Sequence, residues 1–272
     1  MDVAGRVAVI TGAASGIGRA TALATAAAGA DLVLADVHTA RLAEVQAAIA
    51  GLGQRAVAVR CDVSVDADVE RLARVAEAEL GPVDLLMNNA GVVLRGALEA
   101  IELADWEWCF GINVLGVVRG IRAFLPGMLT RGSGYIVNTG SVAGLLPLTG
   151  EGGPYIASKF AVVGLTEALA LYCRPYGVGV SLLCPAGVAT NLAETGRSVG
   201  MTPERQVSET AMARKLQGGP EMQPAEVADC VLEAVRADRF FVLPDRSVEA
   251  LLHTRAADLN AFLEARLAEH LL

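Results

Sequence analysis

The stretch RVAVITGAASGIGRATALATAAAGA (residues 6–30) decides the fold of this chain. It begins with a run of β-branched and apolar residues, passes through a turn rich in glycine and alanine, and continues as an alanine-rich segment of helical character. An apolar run without alternation is typical of a strand buried on both faces, as in parallel sheets. The stretch therefore predicts a strand, a tight turn and a helix, the repeating unit of doubly wound folds.

The same unit recurs along the chain. Apolar runs predict strands at 6–10, 31–35, 56–60, 84–88, 134–139, 179–184 and 240–243. Helix-like segments lie between them, for example at 41–50, 66–80, 104–130 and 155–176. Strand–helix alternation predicts an α/β fold, a Rossmann-type doubly wound parallel sheet. Because no linker or repeat divides the chain, we expect a single domain over residues 1–272.

Two segments depart from this regular pattern. Residues 190–222 form a long irregular connection, which predicts a substrate lid, with a disordered surface excursion as the alternative. Residues 248–271 carry apolar residues near helical spacing and predict a C-terminal helix. We expect that helix to pack on its own domain, and a subunit contact is the second interpretation.

The amino-acid composition limits the kinds of molecule that the protein is expected to bind. The chain is 53% hydrophobic with a net charge of −8, from 22 Lys and Arg against 30 Asp and Glu. This argues against nucleic acid as the main partner, because nucleic-acid binding needs clustered basic residues. The apolar excess and the small residues Ala161, Gly164 and Ala168 on the helix at 155–176 predict a homo-oligomer, a dimer or a tetramer.

The sequence predicts a cytoplasmic protein that does not enter a membrane. No secretory signal precedes the first strand, and the closest approach to a membrane-length apolar stretch is interrupted at Gly29 and Asp31. The cysteines are scattered without metal-ligand or CxxC spacing, which predicts no metal site and reduced thiols, mostly in the core: Cys61, Cys109, Cys173, Cys184 and Cys230. A catalytic cysteine is the alternative.

The turn of the opening stretch has the composition of a phosphate cradle. Gly12 ends the predicted strand, and Gly16 and Gly18 open the helix, with Ser15 and Ile17 between them. A helix N-terminus offers unpaired N–H groups and a partial positive charge, and glycines let a pyrophosphate approach closely. The spacing is GxxxGxG rather than the general GxGxxG fingerprint, so a turn without a ligand is the alternative.

Two acidic residues strengthen the dinucleotide interpretation. Asp36 ends the second strand, where a carboxylate can accept hydrogen bonds from an adenosine ribose. Asp62 follows the third strand and is a candidate for the adenine end. The alternatives are that Asp36 caps the following helix or lies in a solvated turn, and that Asp62 caps the helix at 66–80. The combination of the glycines with Asp36 favours a bound dinucleotide.

The sequence YIASK (155–159) places a tyrosine and a lysine on one helix face. A free tyrosine has a pKa of about 10, and a nearby ammonium favours the phenolate that a base requires. Ser141 follows the fifth strand at the carboxyl edge of the sheet, where doubly wound folds bind ligands. Its hydroxyl can hold a substrate oxygen while Tyr155 exchanges a proton. The alternatives are an ordinary helical pair and a serine in a turn or cap.

Together these features resemble the short-chain dehydrogenase/reductase family, in its single-domain branch. The resemblance covers nearly the whole chain. It rests on six motifs in the order and spacing of the family: TGAASGIG (11–18), NNAG (88–91), Asn113 in the long fourth helix, Ser141, YIASK (155–159) and CPAGVAT (184–190).

The resemblance implies a role for each matched position. Tyr155 is the general acid/base, Lys159 binds the nicotinamide ribose and lowers the Tyr155 pKa, and Ser141 orients the substrate oxygen. Asn113 supports a water that links Lys159 to solvent as a proton relay. The expected cofactor-binding residues are Gly12, Ser15, Gly16, Ile17, Gly18, Asp36, Asp62, Val63, Asn89, Ala90, Gly91, Tyr155, Lys159, Pro185, Gly187, Val188 and Thr190.

The sequence departs from the family pattern in two places. Ala186 stands where the family usually has a glycine after the proline that ends the sixth strand, so the nicotinamide loop is expected to differ slightly in shape. Tyr155 lies one residue further from Ser141 than is common, and the glycine-rich loop before it can absorb the difference. Neither departure removes a catalytic group.

The implied cofactor is NAD. Enzymes of the family that use NADP usually carry a basic residue just before the second motif glycine or just after the second strand. Here those positions read Ala-Ser (14–15) and Val-His (37–38), and Asp36 is present.

The expected substrate is a hydrophobic secondary alcohol or ketone. Residues 92–94, residues 142–148 and the lid with Met201 and Met212 are mostly apolar. The alternative is that these residues only pack the lid. A catalytically silent dinucleotide sensor or scaffold, and an epimerase or dehydratase on the same fold, are the competing functions. All three catalytic side chains are present, which favours the oxidoreductase.

Overall fold

A parallel β-sheet forms the centre of the computed structural model, which describes residues 1–147, 149–192, 195–200 and 221–270. The strands are β1 (Val7–Thr11), β2 (Asp31–Asp36), β3 (Ala56–Arg60), β4 (Leu85–Asn88), β5 (Leu94–Gly96), β6 (Gly134–Thr139), β7 (Val178–Leu183), β8 (Arg197–Val199) and β9 (Phe241–Val242). The main sheet has the order β3-β2-β1-β4-β6-β7-β9, and β5 pairs with β8 separately. The predicted doubly wound parallel sheet in a single domain is confirmed.

Helices cover both faces of the sheet. They are α1 (Gly16–Ala27), α2 (Thr39–Gly51), α3 (Asp66–Glu79), α4 (Leu103–Asn113), α5 (Leu115–Arg131), α6 (Gly153–Cys173), α7 (Pro224–Ala237), α8 (Glu249–Ala257) and α9 (Leu259–His270). On one face Ala8 and Ile10 pack with α1, α2 and α7, and on the other Val7 and Val9 pack with α3, α5 and α6. Strands buried on both faces explain why their sequences are continuously apolar.

The prediction of one long fourth helix over 104–130 is wrong in one respect, because the segment forms two helices, α4 and α5. Asn113 ends α4, and its side chain bonds the backbone of Val92: Oδ1 accepts the N–H at 2.9 Å and Nδ2 donates to the carbonyl at 3.0 Å. This tie holds the end of α4 against the segment after β4, and the regular helix is interrupted at Val114 before α5 begins.

The C-terminal segment predicted as one helix over 248–271 is also two helices, α8 and α9. They are separated at Asp258, whose backbone is extended. Its carboxylate Oδ1 accepts the N–H groups of Asn260 and Ala261, each at 2.9 Å, so this residue caps the start of α9. The predicted lid falls mostly outside the described residues, which include only its ends.

A buried polar chain joins the middle strands to α6. Asn88 Nδ2 donates to Asn138 Oδ1 at 2.9 Å, and Asn138 Nδ2 donates to Thr166 Oγ1 at 3.1 Å. Buried amide groups need such partners, and these fix α6 relative to β4 and β6. The helix that carries Tyr155 and Lys159 is therefore held by directional bonds as well as by packing.

The thiols are core residues, as predicted. All five are free; Cys61, Cys109, Cys173 and Cys184 are buried, and Cys230 is half-buried. Burial raises the pKa of Cys61 and of Cys184 to about 12. A thiol with such a pKa is not a nucleophile at neutral pH, which disfavours a catalytic cysteine.

Two helical stretches, Leu103–Arg131 and Gly153–Tyr176, are long and apolar enough to cross a membrane. Length and composition alone are weak evidence for a membrane span, because core helices meet the same test. Both stretches pack against the sheet with part of their surface.

Candidate active site

A cavity of about 570 Å³ opens at the carboxyl ends of the strands. From β1 the chain winds outward to β2 and β3 and then returns to β4 on the other side, so the cavity lies at the switch point of the sheet, where doubly wound folds bind ligands. Most of the predicted cofactor residues line it: Gly12, Ser15, Gly16, Ile17, Asp36, Asp62, Val63, Asn89, Ala90, Gly91, Tyr155, Lys159, Pro185 and Thr190.

The glycines of the turn are required by close contacts. Gly12 and Gly16 have positive φ values of +67° and +52°, which favour glycine. A Cβ on Gly18 would lie 2.2 Å from the Gly12 carbonyl oxygen, and a Cβ on Gly16 would lie 3.0 Å from Thr190 Cγ2. The turn therefore keeps its backbone N–H groups at the start of α1 next to the cavity.

Asn89 joins this turn to the middle of the sheet. Its Nδ2 donates to the Thr11 carbonyl at 3.1 Å, and its own N–H donates to Thr11 Oγ1 at 2.9 Å. Thr139 Oγ1 donates to Asn89 Oδ1 at 3.4 Å. The NNAG motif thus connects β1, β4 and β6 at the edge where their strands end.

The two aspartates lie where β2 and β3 end, at the far end of the cavity. Asp36 Oδ2 accepts the Ala14 N–H at 3.1 Å, and Oδ1 accepts the His38 N–H at 3.0 Å, so Asp36 also ties the glycine turn to β2. Asp62 accepts from the Ser64 N–H at 2.9 Å and from its hydroxyl. Neither residue is the N-cap of the helix that follows it.

Ser141, Tyr155 and Lys159 come together at the other end. Ser141 accepts the Ala143 N–H at 3.1 Å at the start of a short 3₁₀ turn (Val142–Gly144), and its hydroxyl hydrogen-bonds with Tyr155. Lys159 Nζ donates to the Thr139 carbonyl at 2.9 Å and lies 5.7 Å from the centre of the Tyr155 ring. The turn after β6 and the first turns of α6 therefore bring these three side chains together.

Burial is the largest influence on the pKa values of Tyr155 and Lys159. It raises the pKa of Tyr155 above its ordinary value, and the Ser141 hydrogen bond and the charge of Arg95 oppose that rise. Burial also lowers the pKa of Lys159 to about 8. Lys159 is not among the groups that shift the Tyr155 pKa here, so the lowering of that pKa by Lys159 stays a prediction.

The Asn113 side chain has structural partners. Besides Val92, its Nδ2 donates to Ser158 Oγ at 3.0 Å, so it joins α4 to α6 beneath Lys159. Gly91 lies between the two predicted relay residues: a Cβ there would lie 3.3 Å from Asn113 Oδ1 and 3.7 Å from Lys159 Nζ. The relay through Asn113 stays a prediction.

Some predicted residues do not line the cavity, and others that line it were missed. The predicted site residues that do not line it are Gly18, Asn113, Ser141, Gly187 and Val188. Gly18 is buried beneath the turn, and Val188 pairs with Met222. Ala186 has no positive φ, so the substitution causes no backbone strain. Val92 and the lid residues Asn191, Leu192 and Thr195, predicted near the substrate, line it, as do Val37 and His38. The missed lining residues are Cys61, Trp108, Ile112, Thr139 and Gly140. Cys61 and Gly140 directly follow a strand, and that position in the sequence could have indicated that they lie at the cavity.

Known proteins resemble this chain along most of its length. The sequence profile of the short chain dehydrogenase family matches residues 6–199. A 3β-hydroxysteroid dehydrogenase 2 from Eggerthella lenta is 38% identical, with 79% of this chain and 80% of that protein aligned. A 2,3-dihydro-2,3-dihydroxybenzoate dehydrogenase from Bacillus subtilis is 31% identical, with 96% and 97% aligned. The crystal structure of a short chain dehydrogenase/reductase from Burkholderia phymatum in complex with NAD has a TM-score of 0.87 and 40% identity, covering 96% of each chain.

Proposed function

The chain belongs to the short-chain dehydrogenase/reductase family, and from this premise we propose that it interconverts a hydrophobic secondary alcohol and its ketone with NAD. It is an NAD(P)-dependent oxidoreductase acting on CH–OH groups of small molecules. The observation that carries the proposal is the placement of Tyr155 and Lys159 at one end of a glycine-cradled cavity, with the Ser141 hydroxyl next to Tyr155.

The lining residues fit a dinucleotide. The N–H groups at the start of α1 suit a pyrophosphate, and the Asp36 carboxylate suits an unphosphorylated adenosine ribose. The bound NAD would accept or supply the hydride. The NAD complex of the Burkholderia phymatum structure supports this choice, as does the absence of Lys and Arg at positions 14–15 and 37–38.

Protein side chains orient the substrate and transfer the proton. The Ser141 hydroxyl orients the substrate oxygen, and the Tyr155 hydroxyl takes up the alcohol proton or returns it to the ketone. Lys159, with a pKa of about 8, exchanges protons near neutral pH and therefore suits the relay to solvent. Its buried ammonium also favours a negative charge on nearby Tyr155.

The apolar residues that line the cavity support an apolar substrate. They are Val92, Trp108, Ile112 and Leu192, whereas Val142, Ala143 and Leu146 after Ser141 are buried in the core. Two relatives are named for a hydroxysteroid and for a dihydroxy ring compound. Met201 and Met212 of the predicted lid lie outside the described residues.

The direct test is a panel of alicyclic, steroid-like, aryl and acyl-chain secondary alcohols with NAD. We expect NADH absorbance to rise with at least one hydrophobic member and a polar analogue of equal size to react more slowly. Binding of NAD without turnover of any alcohol or reduction of any ketone would instead favour the silent dinucleotide-binding module.

We also propose a cytoplasmic homo-oligomer that contacts neither nucleic acid nor membrane. Gly164 and Ala168 lie on an exposed face of α6, and Leu171 on the same helix is 80% exposed, an arrangement suited to helix packing. Light scattering should give a multiple of 28.1 kDa. Ala168→Arg should reduce the mass, whereas Ala48→Arg on the exposed side of α2 should not. A parent that is only 28.1 kDa at working concentration refutes this prediction.

A further inference from the structure

The C-terminal helices contact both segments that carry the predicted catalytic side chains. Arg255 on α8 donates from Nη1 to the Leu145 carbonyl at 2.8 Å, across 110 residues of sequence. Its guanidinium carbon lies 5.3 Å from the centre of the Phe160 ring. Leu145 ends the 3₁₀ turn that Ser141 opens, and Phe160 directly follows Lys159. One half-buried side chain therefore bridges the Ser141 turn and the Tyr155 helix.

Apolar contacts hold α8 and α9 against the core next to Arg255. Val248, just before α8, is 1% exposed, and Phe262 on α9 is 5% exposed. Both belong to the buried cluster that contains Val142, Ala143 and Leu146. The packing brings α8 to the turn, and the directional bond of Arg255 fixes where the turn lies, because a charged donor strengthens a hydrogen bond.

We infer that Arg255 is a positioning residue, which holds the Ser141–Leu145 turn against α6 so that the Ser141 hydroxyl stays aligned with Tyr155. The inference rests on the proposed function, because Arg255 acts through Ser141. Small displacements of groups that orient a substrate are costly for the rate. The C-terminal segment thus supports the active site through Arg255.

The test compares Arg255→Met, Arg255→Lys and Arg255→Gln with Arg246→Met. Arg246 is a matched control, because its side chain is 81% exposed and pairs with Glu249 one turn away. Arg255→Met should lower kcat for the best alcohol by about tenfold, with little change in the Kd of NAD measured by protein fluorescence. Arg255→Lys, which keeps a charged donor, should recover part of the loss, and Arg246→Met should match the parent.

The pH profile separates positioning from general destabilisation. Tyr155 is faced by Ser141 from the turn, Arg95 from β5, Cys109 from α4 and Cys184 from the end of β7, with Lys159 on its own helix. The Ser141 hydrogen bond lowers the pKa of Tyr155, so its loss raises that pKa. The rising limb of kcat for alcohol oxidation should move to higher pH in Arg255→Met and stay in place in Arg246→Met.

Parental kcat and an unmoved pH limb in Arg255→Met would overturn the inference. If Arg255→Met does not fold, Arg255→Lys and Arg255→Gln decide the question. The inference is overturned when kcat of both variants stays within about twofold of the parental value, which is well below a tenfold change in rate. A parent that binds NAD but turns over no alcohol or ketone removes the proposed function, and the positioning role falls with it. Activity in the parent with no effect at Arg255 removes only the inference.

Discussion

Tyr155→Phe is expected to lower kcat for the best alcohol by roughly 10²–10⁴-fold, the range typical of a lost general acid–base group. The substitution removes only the hydroxyl that faces Ser141 and leaves the ring in place. The fold, the melting temperature and the Kd of NAD should therefore change little. The measurements are steady-state kinetics by NADH absorbance, thermal unfolding, and titration of NAD followed by fluorescence.

The matched control for this variant is Tyr172→Phe. Tyr172 lies on the same helix, is 54% exposed and packs beside Tyr176, away from the cavity. Its loss of a hydroxyl should leave kcat at the parental value. If Tyr155→Phe kept a near-parental kcat, another group would have to transfer the proton, and the assignment of Tyr155 would be wrong.

Removing the charge of Asp36 is expected to narrow the preference for NAD over NADP. The carboxylate would face a 2′-phosphate carrying about 1.5–2 negative charges. Near the surface, unit charges about 4 Å apart interact by roughly 4 kcal/mol before screening. Solvent and movement should leave about 2–3 kcal/mol, which corresponds to roughly 30- to 150-fold in kcat/KM.

The structure sharpens the choice of variant. Because Asp36 also accepts the N–H groups of Ala14 and His38, Asp36→Ala weakens the glycine turn for both cofactors. Asp36→Asn keeps one acceptor oxygen and removes the charge, so the ratio of kcat/KM for the two cofactors is the decisive quantity in both variants. Asp62→Asn removes the same charge from the same cavity and should leave the ratio unchanged. An unchanged ratio in both Asp36 variants would reduce Asp36 to a link between the turn and β2.

The sequence predicted the parts of the site that depend on local rules. A glycine whose Cβ would clash with its own turn, as at Gly18, leaves a motif that can be read from a single chain. Residues that end parallel strands must meet at one edge, so Asp36, Asn89 and Ser141 could be placed near one another from strand positions alone. The same rules give the sheet, because strands buried on both faces have continuous apolar runs.

The parts that were missed depend on contacts between distant segments. The break after Asn113 follows from bonds to Val92, and the break at Asp258 follows from a cap that resembles any exposed aspartate in sequence. Strands β5 and β8 have three residues each, too few for a periodic pattern. No local sequence pattern indicates the role of Arg255, because its partners lie about a hundred residues earlier in the sequence.

The order of the elements along the chain also sets the order in which the parts of the site are synthesised. Most of the cofactor cradle, from Gly12 to Gly91, is encoded in the strands that emerge first. The chemical groups come later, with β6 and α6, and the bridge at Arg255 comes with the last helices. Domains generally fold as units, and this sheet joins strands from both halves of the chain. The residues that hold the nucleotide therefore leave the ribosome first, but they become a site only together with the chemical groups, after the last helices have been made.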